Sequence, residues 1–311
     1  MKPTVLQLGP LLPLVEKGLA ANYTHLNLAG APDAQGFLAE NGPRIDAIAS
    51  SGRNGVNAAL VDACPNLKLI AHFGVGYDNV DVEHARKKSV VVSNTPDVLT
   101  DCVADLAIAM LIDAARGISA GDRYVRAGRW PKGPMPLATK VTGKRLGVVG
   151  LGRIGRAIAA RAEGFDMEIR YHNRRQSPDA PYAYEHSLLA LARWCDFLVV
   201  ATAGGEATRG LISAAVIEAL GTKGFLVNIA RGSVVDEPAL IAALAAKRIA
   251  GAALDVFADE PRVPEALLAL DNVVLTPHIA SATTDTRAAM GQLVLDNVES
   301  FFRDGRALTP V

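Results

Sequence analysis

Residues 144–159 read KRLGVVGLGRIGRAIA, and they are the strongest indication of the fold of the chain. Its first six residues predict a buried strand, which leads into Gly150-Leu151-Gly152-Arg153-Ile154-Gly155 and then into a helix. In this pattern Gly150 permits a tight turn, Gly152 lets a pyrophosphate approach the backbone, and Gly155 lets the helix pack closely on the strand. The N-terminus of the helix offers free N–H groups to the anion. The stretch therefore predicts a dinucleotide-binding Rossmann domain.

Short apolar runs alternate with helical segments on both sides of this loop. Strands are predicted before it at 4–8, 23–28, 45–49, 67–71 and 90–92. A second series is predicted at 145–149, 168–172, 197–201, 225–229, 249–254 and 273–275. Strands that alternate with helices indicate βαβ units and parallel sheets. The six strands of the second series match the count of a doubly wound dinucleotide fold.

Composition and charge exclude several classes of protein. The chain of 311 residues is long enough for two domains, and 32 basic residues balance 32 acidic ones. This balance argues against nucleic-acid binding and against a polybasic membrane surface. No apolar run reaches the roughly 18–20 residues that a membrane span needs, so we expect none. The start of the chain leads directly into a predicted strand, so we expect no signal peptide and a cytoplasmic protein. Three scattered cysteines predict free thiols, and no His, Asp or Glu grouping has the spacing of a metal site.

The choice of cofactor is predicted at the end of the strand that follows the glycine loop. An NAD site usually has Asp or Glu there to bind the ribose 2′-hydroxyl. This chain has Asn173, followed by Arg174 and Arg175. Two guanidinium groups suit a 2′-phosphate, which a carboxylate would repel. The sequence therefore predicts NADPH.

Three polar residues follow strand candidates of the second series. Arg231 comes after 225–229, Glu260 after 249–254, and His278 after 273–275. In an open α/β sheet, ligands bind at the carboxyl ends of the strands, so we expect the three side chains at one edge. Together they provide a cation, a carboxylate and an acid or base.

These motifs resemble the D-2-hydroxyacid dehydrogenase family over nearly the whole chain, and within it the glyoxylate/hydroxypyruvate reductases. The resemblance is carried by FGVGYDNVD (73–81), the loop from Gly150 to Gly155, NIARG (228–232), ALDVF (253–257) with Glu260-Pro261, and TPHIASAT (276–283). It implies two doubly wound parallel-sheet domains with a cleft between them. A flavodoxin-like substrate domain would comprise residues 1–97 and 285–311, and the dinucleotide domain residues 98–284. The resemblance also implies a homodimer, in which a Trp130-containing arm at 117–142 crosses to the partner.

The resemblance also implies roles for individual residues. His278 would be the proton donor, Glu260 its partner, and Arg231 the group that binds the substrate carboxylate. The remaining substrate contacts would come from Val75, Gly76 and Ser281. Asp255 would face the nicotinamide carboxamide, with a role as a strand-end cap as the alternative. The other cofactor contacts would come from Thr202, Ala203, Thr208, Ile229 and Ala230.

The function implied is NADPH-dependent reduction of a small 2-keto acid, glyoxylate or hydroxypyruvate, to the D-2-hydroxy acid. Other D-2-hydroxyacid dehydrogenases remain open, among them the hydroxyphenylpyruvate type. Phosphoglycerate dehydrogenase is disfavoured because no cluster for a second phosphate is evident. Formate dehydrogenase is disfavoured because its relatives replace the Glu partner of the histidine with Gln. A nucleotide-sensing corepressor on the same fold is the alternative from another class.

Overall fold

Two separate parallel sheets organise the chain, and each lies in its own compact unit. The computed structural model describes residues 2–311. One unit contains the residues up to Leu99 together with Ala282–Val311, and the other is Thr100–Ser281. No helix in this described range is both long and apolar enough to cross a membrane. Over the same range, no group of three or more His, Cys, Asp and Glu side chains is placed to hold a metal ion.

The first unit is built on a five-stranded sheet in the order β2-β1-β3-β4-β5, with all pairs parallel. Its strands are β1 (Thr4–Gln7), β2 (Thr24–Asn27), β3 (Ala47–Ser51), β4 (Leu69–Phe73) and β5 (Val91–Ser93). The helices between them are α1 (Pro13–Asn22), α2 (Ala34–Asn41), α3 (Ala58–Asp62) and α4 (Val82–Lys87). This strand order is that of a flavodoxin-like doubly wound sheet. Strands β1 and β4 are buried along their whole length, so that even their polar residues Thr4, Gln7 and His72 lie in the interior.

The second unit is built on a seven-stranded parallel sheet. Its helices are α5 (Thr100–Arg116), α6 (Ile118–Arg126), α7 (Arg153–Glu163), α8 (Leu188–Trp194), α9 (Ala214–Leu220), α10 (Glu237–Ala245) and α11 (Glu265–Leu268). Its strands are β6 (Arg145–Val149), β7 (Glu168–His172), β8 (Ala183–Tyr184), β9 (Phe197–Val200), β10 (Phe225–Asn228), β11 (Gly251–Leu254) and β12 (Val273–Leu275). The order is β12-β11-β10-β9-β6-β7-β8. It reverses between β6 and β9, which is where doubly wound sheets bind ligands.

The prediction of six strands in this sheet is wrong, because β8 adds a seventh. This edge strand pairs with β7 at only two positions, and so short a segment leaves no periodicity in the sequence. The predicted bounds of the other strands agree with the structure to within two residues.

The end of the chain returns to the first unit. Helix α12 (Thr284–Asp304) packs on α1 and β4. Residues 309–311 then run beside β5, where the Val311 N–H donates to the Val92 carbonyl at 3.0 Å. The Asn94 N–H donates to the Thr309 carbonyl at 3.2 Å just beyond that strand. The C-terminal segment is therefore tied to the edge of the five-stranded sheet.

Candidate active site

The glycine loop connects β6 to α7 and leaves the N-terminus of α7 open. Gly150 has a φ of +97°, a backbone conformation that other residues rarely adopt. A Cβ on Gly155 would lie 2.1 Å from the Gly150 carbonyl oxygen, so only glycine permits this close approach. Nothing lies within 4 Å of a Cβ placed on Gly152. A loop of this shape fits the pyrophosphate of a dinucleotide.

Residues 173–177, which we call the cofactor turn, follow β7 beside this loop. The Leu151 N–H donates to Asn173 Oδ1 at 2.7 Å, so the two segments are joined directly. Arg174 and Arg175 are exposed, and neither forms an ion pair with the described part of the chain. Two uncompensated guanidinium groups at this position fit a 2′-phosphate.

The strand that the sequence analysis missed helps to hold the cofactor turn. Tyr184 in β8 donates from its hydroxyl to the Asn173 carbonyl at 3.0 Å. At the other end of the turn, the Ser177 N–H donates to the Tyr171 hydroxyl at 2.9 Å, and Arg156 hydrogen-bonds the Ser177 hydroxyl. These contacts fix the backbone that carries the two arginines.

His278 and Glu260 form a hydrogen-bonded ion pair, with 2.7 Å between Nδ1 and Oε2. The second carboxylate oxygen of Glu260 accepts from the Phe257 N–H at 3.1 Å. Partial burial by itself raises the pKa of Glu260, but the hydrogen bond and charge of His278 outweigh it. The Phe257 amide and the Arg231 charge act in the same direction, so the pKa of Glu260 lies below its usual value. The carboxylate therefore stays ionised and accepts a hydrogen bond from Nδ1 of His278.

The loop that carries His278 is anchored by Asp255, which is fully buried at the end of β11. One oxygen of its carboxylate accepts from the Thr276 hydroxyl at 2.7 Å and from the Ile279 N–H at 2.8 Å. The other oxygen accepts from the Ala280 N–H at 2.9 Å. His278 has a φ of +54°, a strained value for a residue with a side chain. These contacts hold that strained backbone in place.

Arg231 follows β10, in a turn that Asn228 organises. The Asn228 side chain accepts from the Ala230 N–H at 3.0 Å and donates to the Arg231 carbonyl at 3.0 Å. A Cβ on Gly232 would come within 1.9 Å of the Phe257 backbone, so this turn lies directly beside the segment after β11. Sequence reasoning missed the role of Asn228, although it opens the NIARG motif.

Strands β10, β11 and β12 are neighbours in one parallel sheet, so Arg231, Glu260 and His278 lie at the same edge. Arg231 is close enough for its charge to lower the pKa of Glu260.

The remaining residues of this unit that the sequence predicts to contact cofactor or substrate lie at different distances from the glycine loop and His278. Backbone atoms of Thr202 lie beside Gly150, since a Cβ on that glycine would be 2.7 Å from the Thr202 nitrogen. The Thr208 hydroxyl donates to the Ala203 carbonyl at 2.8 Å, which closes the loop after β9. Ile229 and Ala230 directly follow β10, and Ser281 lies three residues after His278. Both oxygens of Asp255 are already in use, so the structure places Asp255 as an anchor, and its contact with the carboxamide stays a prediction.

In the first unit, residues 74–76 form a loop with two free N–H groups, which we call the substrate loop. Its carbonyl oxygens are all engaged: that of Gly74 by the Thr95 N–H at 2.9 Å and that of Gly76 by His72 Nε2 at 3.1 Å. The Val75 carbonyl accepts from Asn94 Nδ2 at 2.9 Å. The N–H groups of Val75 and Gly76 have no acceptor within residues 2–311. Two adjacent unpaired N–H groups suit an anion such as a carboxylate.

A sequence profile of the D-isomer specific 2-hydroxyacid dehydrogenase, NAD binding domain, matches residues 108–280, more than half of the chain. The chain belongs to the D-isomer specific 2-hydroxyacid dehydrogenase family. The predictions of the family, of the two α/β domains and of an oxidoreductase are thereby confirmed.

Particular relatives extend over the full chain. It is 43% identical over 310 residues to 2-ketogluconate reductase of Gluconobacter oxydans, covering 100% of this chain and 99% of that protein. It is 45% identical over 307 residues to hydroxyphenylpyruvate reductase of Plectranthus scutellarioides, covering 99% and 98%. Among solved structures it resembles the NADPH-dependent glyoxylate/hydroxypyruvate reductase of Sinorhizobium meliloti in complex with NADP and malonate. The TM-score is 0.95 with 43% identity, covering 100% of this chain and 97% of that one. The reaction class predicted, reduction of 2-keto acids, is confirmed.

Proposed function

We propose that the protein reduces a small 2-keto acid, glyoxylate or hydroxypyruvate, to the D-2-hydroxy acid with NADPH. The observation that carries this proposal is the His278–Glu260 pair at 2.7 Å, which lies at the same sheet edge as Arg231. The glycine loop opens at the carboxyl end of β6 in the same sheet. A proton donor, a cation and a dinucleotide loop are the parts that this reduction needs.

Each residue has a distinct role in the proposed reaction. The glycine loop and the cofactor turn would hold NADPH, which would supply a hydride for the carbonyl carbon. His278 delivers a proton from Nε2 to the carbonyl oxygen, because Nδ1 is bonded to Glu260. Arg231 binds the substrate carboxylate and polarises the carbonyl oxygen. The N–H groups of Val75 and Gly76 bind the carboxylate as well.

The proposed preference for NADPH over NADH rests on the cofactor turn. Asn173 brings no negative charge, and the two exposed arginines have no carboxylate partner in the chain from residue 2 onward. The Sinorhizobium meliloti relative was crystallised in complex with NADP, and this supports NADPH as the cofactor of this protein.

The proposed choice of substrate rests on the residues near the substrate loop. Asn79 donates to the carbonyls of Ser51 and Gly52, each at 3.1 Å, and so joins the end of β3 to this loop. Ser51 and the exposed Tyr77 offer hydroxyl groups, and Arg53 is the one cation at the end of β3. We therefore expect small, uncharged substituents beyond the ketone, with pyruvate weaker because it returns no hydrogen bond to a polar lining.

The test measures kcat/KM for glyoxylate, hydroxypyruvate, pyruvate, phenylpyruvate and oxaloacetate, each with NADPH. The panel also includes 2-ketogluconate and hydroxyphenylpyruvate, because relatives of equal similarity are reductases of these compounds. A tenfold lead by an aromatic, sugar or dicarboxylic keto acid, about 1.4 kcal/mol, would overturn the proposed substrate and leave the reaction class intact. Absence of NADPH oxidation with every keto acid would favour the corepressor.

We further propose that residues 1–97 and 285–311 form the substrate domain and residues 98–284 the dinucleotide domain. The free N–H groups of the substrate loop support the first assignment, and the glycine loop supports the second. We also propose a homodimer formed through the arm at 117–142.

A further inference from the structure

A chain of polar contacts joins the C-terminal segment to the substrate loop. Thr309 contacts both main-chain polar groups of Asn94. The Asn94 N–H donates to the Thr309 carbonyl, and the Thr309 hydroxyl donates to the Asn94 carbonyl at 2.6 Å. Asn297 in α12, 1% exposed, holds Thr309 in turn. Its amide donates to the Thr309 hydroxyl at 2.9 Å, and its oxygen accepts from the Thr309 N–H at 3.0 Å. A chain terminus usually frays, but these hydrogen bonds fix this one at Thr309.

The geometry of the peptide bond carries this anchoring to the free N–H groups. In a trans peptide the C=O of one residue and the N–H of the next point in opposite directions within one rigid plane. Asn94 Nδ2 holds the Val75 carbonyl and thereby turns the Gly76 N–H to the opposite side. The Thr95 N–H does the same for the Gly74 carbonyl and the Val75 N–H. The orientation of both free N–H groups therefore depends on the position of Asn94-Thr95.

A second anchor holds the far side of the loop. His72 is 1% exposed, and its Nε2 bonds the Gly76 carbonyl while the Ser50 hydroxyl lies 3.0 Å from its Nδ1. Since a carbonyl only accepts, Nε2 carries a proton here. With this side rigid, the contacts through Asn94 decide whether the loop keeps its shape.

We propose that Thr309 is a positioning residue for substrate binding: through Asn94, it holds the N–H groups of Val75 and Gly76 in the orientation that a substrate carboxylate requires. The inference rests on the proposed function in one respect, that the anion bound here is the carboxylate of the keto acid. Groups held in place before binding lose less entropy when the ligand arrives, so the effect appears in affinity for the acid. Affinity for NADPH depends on the other unit and is unaffected.

The test compares Thr309→Val, which removes the hydroxyl at nearly constant volume, with Thr309→Ser, which keeps it. The matched control is Thr24→Val, the same substitution at an exposed threonine of strand β2. In Thr309→Val we expect KM for the keto acid and the inhibition constant of malonate to rise about threefold to tenfold, the effect of one lost hydrogen bond. In Thr309→Ser we expect the keto-acid KM and the malonate inhibition constant to equal the wild-type values. KM for NADPH should stay constant in all three variants. An unchanged keto-acid KM in Thr309→Val, or an equal rise in both KM values, would overturn the inference.

A second measurement does not require activity. Hydrogen exchange is followed on a peptide that spans 91–98, in which the Asn94 N–H donates to the Thr309 carbonyl and the Thr95 N–H donates to the Gly74 carbonyl. Exchange in this peptide should be faster in Thr309→Val than in the wild type, and it should equal the wild-type rate in Thr309→Ser. A peptide from β6 should exchange at the wild-type rate in both variants, which shows that the fold is intact. Faster exchange at 91–98 in an enzyme that reduces no keto acid would refute the proposed function but support the anchoring. Unchanged exchange at 91–98 would refute the anchoring whatever the activity.

Discussion

His278 and Glu260 are separated by 18 positions in sequence, yet their side chains meet at 2.7 Å. They meet because β11 and β12 are adjacent parallel strands, so the segments that follow them leave the same sheet edge. Asp255 then accepts from the Thr276 hydroxyl before His278 and from the Ile279 N–H after it, and the Phe257 N–H donates to Glu260. At the scale of single residues, the proposed proton donor His278 is thus oriented by the Glu260 carboxylate, which contacts it, and by the Asp255 carboxylate, which holds its loop.

Replacement of His278 tests its role as the proton donor. In His278→Ala we expect kcat for reduction to fall about 10²- to 10⁴-fold, the usual contribution of an acid–base residue. The measurement is steady-state NADPH oxidation with the best keto acid. His84→Ala is a matched control, because His84 also pairs with a carboxylate, that of Asp62 at 3.0 Å. A loss of less than about tenfold in His278→Ala would contradict the assignment.

Replacement of Glu260 tests the pair through the pH dependence. The pKa of Glu260 is lowered, so a negative charge lies beside the His278 imidazole throughout the neutral range. In Glu260→Gln this negative charge is lost, and we expect the pH above which the reduction rate falls to move lower. The measurement is kcat/KM for reduction across about pH 5 to 9. A profile that coincides with that of the wild type would refute the pairing.

At the scale of elements, the cofactor turn shows how a short edge strand can serve a binding site. β8 pairs with β7 at two positions only, and through its Tyr184 it reaches the Asn173 carbonyl. The turn is also joined to the glycine loop by the bond from Leu151 to Asn173. The two arginines therefore project from a backbone that is held at both ends.

The double variant Arg174→Ala with Arg175→Ala tests cofactor choice. Loss of charge-assisted contacts to the 2′-phosphate costs about 1.5–3 kcal/mol, so KM for NADPH should rise roughly tenfold to a hundredfold. KM for NADH should change little. Arg193→Ala with Lys223→Ala is the control, since it removes two exposed positive charges from the same unit. Equal KM values for NADPH and NADH in the unmodified enzyme would remove the basis of this prediction.

At the scale of the whole molecule, the arm at 117–142 leaves large apolar side chains uncovered. It contains α6, in which no residue is buried, a short 3₁₀ turn (Trp130–Lys132) and then an extended segment. Trp130 is 68% exposed and Leu137 is fully exposed. Ile118 and Val125 on α6 are more than half exposed. An apolar segment of this kind is typical of a surface that another chain covers.

We predict that the protein is a homodimer and that Trp130→Ala with Leu137→Ser weakens it. Truncation of interface anchors of this kind costs about 2 kcal/mol or more, which corresponds to roughly a thirtyfold higher Kd. Sedimentation velocity over a concentration series provides the measurement. Leu268→Ser is the control, because Leu268 is 62% exposed and lies outside the arm. A wild-type monomer at micromolar concentration would rule out the arrangement.

The class of fold, every strand except β8 and the residue types at the candidate site could be predicted from the sequence. The glycine pattern requires a particular backbone, and the buried parallel strands require unbroken apolar runs, so both are visible locally. The identities of Arg231, Glu260 and His278 are equally visible, because each follows a strand in a recognisable motif. Sequence reasoning also placed the strand that precedes the cofactor turn at its observed bounds.

The polar groups that hold these residues in place could be identified only in the folded chain. β8 is too short to produce a pattern, and the anchoring of the His278 loop by Asp255 joins residues more than 20 positions apart. The bond from Thr309 to Asn94 spans 215 positions. Such contacts form because buried donors and acceptors must find partners, and the nearest partner in space is set by how the sheets and helices pack. The sequence near each residue does not show which distant group will lie next to it. The hydrogen bonds that support the site can therefore be seen only in the folded chain.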